Sequence, residues 1–286
     1  MQDARVEQDS EASPNAGVID SQNAKTTENG GVRGYDAGDE VFGTVTQFKS
    51  WTIEDVIGHL HIWNAAALMT LQDPDAFKQF IRDMMGAFQT GKGHIDVQYA
   101  WLDAHAGGIR GKALFDAYCD YYPKLAAAYG EADPEQRVAW AGPDMTTRSK
   151  IIARQMETWS HGQEIFDILG QQRNDGDRIR NIAHLGVTTY GWTFRNRREE
   201  PPAPKPFVQL TAPSGAVWEW NDPQQDNVVR GSAVEFSQVV TQTRNIDDTA
   251  IETVGDTARR WMEIAQCFAG GPETPPAKGT RSIVTD

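Results

Sequence analysis

Cysteine is almost absent. The 286 residues include two, Cys119 and Cys267, too few and too far apart for a disulfide framework or a zinc–thiolate cluster. Reduced thiols, and with them a cytoplasmic setting, are the expectation. Basic charge is also scarce: 27 Lys and Arg stand against 40 Asp and Glu, for a formal net charge of -13. Phosphate backbones and anionic lipid surfaces attract Lys and Arg, so neither nucleic acid nor a membrane is an expected partner. No apolar run approaches the ~20 residues needed to cross a bilayer. The opening MQDARVEQDSEASPNAG has no apolar core of the kind a secretory signal carries. Familiar catalytic signatures are missing as well: no Gly-x-Ser-x-Gly elbow, no Walker loop, and no Gly-x-Gly-x-x-Gly after a strand.

What is present has a clear order. Residues 1–34 are polar and poor in large apolar groups, and are expected to form a disordered tail because they cannot bury enough surface to offset chain entropy. A lead-in over 35–50 precedes Thr52, which can cap a helix together with Asp55 three residues on. That helix is expected to run to about Leu71. Further helices are expected after Pro74 up to Gly91–Gly93, over Lys112–Tyr129, from a cap at Thr146 or Thr147 to a left-handed stop at Gly170, and over Asp177–Arg198. PPAPKP at 201–206 reads as a stiff boundary. Beyond it, FVQLTAP, AVWEWND and DNVVRG alternate like strands separated by turns. Helices at about Ser232–Arg244 and Asp247–Cys267 follow, then a flexible tail over 271–286. The fold class is therefore mainly α: a helical bundle over 35–200 with a small α+β domain over 205–270.

The run ARQMETWSHGQEIFDILG contains Glu157 and His161. Four residues is just over one helical turn, so carboxylate and imidazole project from one face. With a third ligand from another helix they can hold a divalent metal. Glu-x-x-x-His is common by chance, but this helix is apolar around the pair, and a buried carboxylate there needs a partner or a metal. His59, in WTIEDVIGHLHIW, is the favoured third ligand because it shares a face with Val56, Trp63 and Ala66; His61, on another side of the same helix, competes with it. A His–Glu–His set leaves metal positions open, which is the catalytic pattern. His94 and His105 are expected to be ordinary surface groups. His184 is expected in packing or a supporting hydrogen bond, and Cys119, in an aromatic stripe, is expected to be a buried inert thiol.

WTIEDVIGHL resembles the Gly-Trp-Thr-x-x-Asp-x-x-x-His-Leu motif of the DinB-like metal-binding superfamily, and the Glu157/His161 run resembles the second metal motif of its branch containing the mycothiol-dependent maleylpyruvate isomerases. The resemblance extends over roughly 40–270, through IAHLGVTTYGWTFRNR, VQLTAPSGAVWEW and EFSQVVTQTRNIDDTA. It implies a DinB-like bundle with a C-terminal domain that helps close the site. It also implies His59, Glu157 and His161 as ligands of a divalent metal, zinc first. A low-molecular-weight thiol such as mycothiol would be activated there and added to a small electrophile, in transfer or isomerisation. A functional arginine of the C-terminal domain corresponds loosely to Arg244, at the end of SAVEFSQVVTQTR. The family's first bundle helix has a polar, helix-poor counterpart here. The assembly expected is a monomer or a homodimer.

Overall fold

The computed structural model describes residues 39–142 and 144–285; the expected tail over 1–34 lies outside them. The bundle consists of α1 (Ile53–Gln72), α2 (Pro74–Gln89), α3 (His94–His105), α4 (Gly111–Glu131) and α5 (Thr147–Ile168). A two-residue strand pair, β1 (Arg137–Val138) and β2 (Met145–Thr146), precedes α5. Then come α6 (Arg180–Thr188), α7 (Tyr190–Asn196), β3 (Phe207–Thr211), β4 (Val217–Trp220), β5 (Val228–Ser232), α8 (Ala233–Val240), β6 (Glu252–Val254) and α9 (Asp256–Ile264).

The helix that carries His59 begins where local chemistry dictates. Thr52 accepts from Asp55 N at 3.1 Å, and Asp55 Oδ2 accepts from Thr52 N at 2.8 Å, a reciprocal cap that satisfies two orphan donors. At the start of α5, Thr146 accepts from Ser149 N at 3.1 Å. Gly170, at φ 64°, ends that helix in the left-handed conformation.

Several elements differ from the sequence expectation. The region 93–105 is helical: Asp96 accepts from Gly93 N and caps α3, whose apolar residues form no continuous stripe in the sequence. The single helix expected over Asp177–Arg198 is a 3₁₀ turn followed by α6 and α7. Thr188 and Thr189 bond back to the His184 and Leu185 carbonyls at the break, a pairing that competes with the helical ladder. The helix expected over Asp247–Cys267 gives way to β6 before α9 starts. Glu252, Thr253 and Val254 pair with β5 at the sheet edge, two of the three being β-branched. Gly255, at φ 84°, then turns the chain where a Cβ would collide with the Asp226 carbonyl.

The C-terminal sheet has the order β4-β3-β5-β6, with β3 and β5 parallel and the outer pairs antiparallel. α5 is shared between two cores. Met156 and Trp159 join the cluster built from α6–α9 and the sheet, whereas Ile165 and Ile168 pack against the cluster of α1–α4. Glu157 and His161 thus sit on a helix clamped from both sides.

The segment expected as a flexible tail instead lies along this junction as a strap. Glu273 pairs with Lys49 at 3.0 Å, Arg281 with Glu164 at 3.1 Å, Ser282 N donates to Gln47 at 2.9 Å and Val284 N to the Asp167 carbonyl at 2.9 Å. The sequence gives no apolar pattern there because the strap is held by polar contacts.

Candidate metal centre

α1 and α5 bring His59, Glu157 and His161 together. Glu157 Oε2 lies 3.7 Å from His59 Nε2 and 3.5 Å from His161 Nε2, and one donor atom from each residue falls within 4.8 Å of the others. Donors about 2.0–2.1 Å from a tetrahedral zinc are roughly 3.3–3.4 Å apart. Two imidazole nitrogens and a carboxylate oxygen at these separations fit a single divalent ion.

The electrostatics agree with that use. Burial, with help from His161, lowers His59 to about 3, so its imidazole is neutral at physiological pH and has a lone pair to offer. Burial works against the charge on Glu157, but His161 and His59 outweigh it and hold the carboxyl below its usual range. Aromatic walls shield the group. Trp51 stacks on His161 at 6.0 Å and on His94 at 5.2 Å, and Phe48 meets His161 edge-on at 5.1 Å.

Other histidines are distributed by the fold. His61 is buried against Tyr121, away from this cluster. His184 accepts from Trp220 Nε1 at 3.2 Å. His105 stacks on Trp101. His94, expected at the surface, is instead half-buried, with Nε2 3.3 Å from His59 Nδ1. The reason is α3, which the sequence pattern hides and whose first residue is His94.

Arg244 is committed elsewhere. Its two terminal nitrogens bond Asp167 at 2.7 and 2.6 Å, and Nη1 also donates to the Thr243 carbonyl. Arg281 lies 5.1 Å over the Phe48 ring and pairs with Glu164. Glu164 follows His161 by three residues on the same face. Burial raises it to about 7 despite Arg281, and its Oε2 has no hydrogen-bond partner among the described residues. The spacing Glu157–His161–Glu164 is legible in the sequence as a helical stripe; Arg281 carries no such signal.

Both thiols are poor nucleophiles. Burial raises Cys119 to about 11 and pushes Cys267 further up.

A family model described as the mycothiol maleylpyruvate isomerase N-terminal domain matches residues 32–166. Two uncharacterized proteins of Mycobacterium tuberculosis, one from each of two strains, are 36% identical over 237 residues, covering 82% of this chain and 87% of their own. The chain belongs to the mycothiol maleylpyruvate isomerase N-terminal domain family. The matched span includes His59, Glu157 and His161 and ends before Asp167. Among solved structures, the mycothiol-dependent maleylpyruvate isomerase and a histidine-to-alanine mutant of it are similar at 18% identity, with TM-scores of 0.41 and 0.42 over 70% of this chain and 78% of theirs. No helix among the described residues is long and apolar enough to cross a membrane.

Proposed function

We propose that the chain is a divalent-metal-dependent enzyme that activates a low-molecular-weight thiol for transfer to, or isomerisation of, a small electrophile. The observation that carries this is the convergence of one donor atom each from His59, Glu157 and His161 within 4.8 Å on two packed helices, with Glu157 Oε2 3.7 and 3.5 Å from the two imidazole Nε2 atoms. Zinc bound there would lower the pKa of a thiol or water in an open position and supply a nucleophile at neutral pH.

The chain's own residues define the rest. His59 and His161 would each offer a ring nitrogen and Glu157 a carboxylate oxygen, so a divalent ion held there would keep one net positive charge for an anionic partner. Trp51 and Phe48 exclude water from the imidazole faces. Neither Cys119 nor Cys267 offers a ready thiolate, so the sulfur nucleophile comes from outside. The family and the isomerase's name point to mycothiol as that thiol.

A hydrolase that activates water at the same three residues is the second reading, because nothing in the donor set distinguishes thiol from water. Protein purified without a metal-affinity tag, loaded with zinc and tested on a panel of small electrophiles with and without mycothiol, separates them. Turnover that needs both metal and thiol is expected. Turnover with metal alone favours hydrolysis. Protein that neither contains zinc nor takes it up removes both readings.

A further inference from the structure

His94 completes the site from outside. His59 has two ring nitrogens with different neighbours: Nε2 faces Glu157 at 3.7 Å, and Nδ1 faces His94 Nε2 at 3.3 Å. A neutral imidazole carries one N–H and one lone pair. If Nε2 uses its lone pair on a metal, the proton is on Nδ1, and it has His94 Nε2 as its acceptor. That in turn places the His94 proton on its own Nδ1. One requirement at the metal therefore sets both tautomers.

His94 is built to hold that position. Its ring stacks on Trp51 at 5.2 Å and on Phe88 at 5.6 Å, each inclined by 27°. Its backbone is the first residue of α3, with Gly93 before it in extended conformation. The ring can neither tilt freely nor slide along the helix axis.

Resting on the metal reading above, we propose that His94 is a positioning residue: it accepts the Nδ1–H of His59 and fixes that ring with Nε2 toward Glu157 and His161. The partner of a metal-bound histidine orients the ligand and tunes its basicity. A carboxylate in that place would pull the proton and enrich the ligand. A neutral imidazole pulls less, leaving a bound ion more electron-poor and better able to ionise a thiol. His94 Nε2 points at His59 Nδ1, not into the space between Glu157 and His161, so it serves His59 and is not a fourth ligand.

The test compares His94→Phe, which keeps a stacking ring without an acceptor, with His94→Gln, which restores an acceptor oxygen. Zinc affinity is measured by competition with a chelator. The cobalt-substituted protein gives a second readout: the exchangeable, paramagnetically shifted Nδ1–H resonance of His59 and the visible absorption of the ion. His94→Phe is expected to bind zinc roughly 10–100-fold more weakly and to lose the His59 resonance to solvent exchange, with the melting temperature of the metal-free protein unchanged. His94→Gln should recover most of both. A His94→Phe protein with wild-type affinity and a protected resonance overturns the role. So does a drop in coordination number in its cobalt spectrum, which would make His94 a ligand. If the wild-type protein itself takes up no cobalt, the metal reading fails and this one with it; that control is read separately from the variants.

Discussion

Arg244 and Asp167 face each other as a two-pronged ion pair, Nη1 to Oδ2 at 2.7 Å and Nη2 to Oδ1 at 2.6 Å, joining the end of the α8 segment to the last turn of α5. Side-chain exposure is 9% for Arg244 and 1% for Asp167. Asp167 also accepts from Gln163, and its carbonyl takes the strap's Val284 N–H. The pair therefore ties α5, the segment after α8 and the strap at one point.

Removing one partner of a buried pair leaves the other charge uncompensated. Arg244→Ala is expected to cost about 3–5 kcal/mol of stability, and Arg244→Lys less, since it keeps the charge but loses the fork. Thermal melts of the metal-free variants check this. An Arg244→Lys protein with the wild-type melting temperature and a tenfold lower kcat/KM would instead return Arg244 to the substrate.

His59→Ala and His161→Ala should each bring zinc content close to zero by elemental analysis. His61→Ala should keep it, although it opens a small void beside Tyr121. Loss of zinc from His61→Ala alone would mean that α1 presents the wrong face in this account.

Glu164 gives a pH signature. Its folded-state carboxyl titrates near 7 because of burial, against about 4.3 in an unfolded chain. Between those values the folded state binds the extra proton, so this group's contribution is fully present below about pH 4 and is lost as pH rises through 7. Glu164→Gln removes that loss. In the metal-free protein it should be neutral near pH 4 and stabilising at pH 8, by on the order of 3 kcal/mol at most. Equal effects at both pH values would contradict the buried placement.

Lys150 titrates in the opposite sense. Its side chain is fully buried, lies over the Trp140 ring, and its Nζ has no hydrogen-bond partner among the described residues. Burial lowers it to about 5, against roughly 10.4 when unfolded. The unfolded state holds the extra proton across that window, so stability rises with pH. Lys150→Met, of similar length, should raise the melting temperature most at pH 5–6, with the gain shrinking toward pH 10. A destabilised variant at pH 6 would show that the amine stays charged against its aromatic neighbours.

The sequence by itself determined whatever depends on neighbours along the chain. Thr52 and Asp55 start α1, Gly170 stops the turn after α5, and the four-residue step from Glu157 to His161 puts two donors on one face. Alternation after residue 206 marks β3, β4 and β5. Inward facing of His59 was legible from Val56, Trp63 and Ala66 on its stripe. Tertiary structure decided what depends on partners distant in sequence. His94 joins His59 across 35 residues because α3 starts beside α1, a packing choice with no local periodic signal. Arg244 meets Asp167 across 77 residues and Arg281 meets Glu164 across 117. A long cationic side chain reads the same in sequence whether it ends in solvent, in a cavity or on a carboxylate. Only the packed arrangement of the elements fixes which acceptor lies within reach.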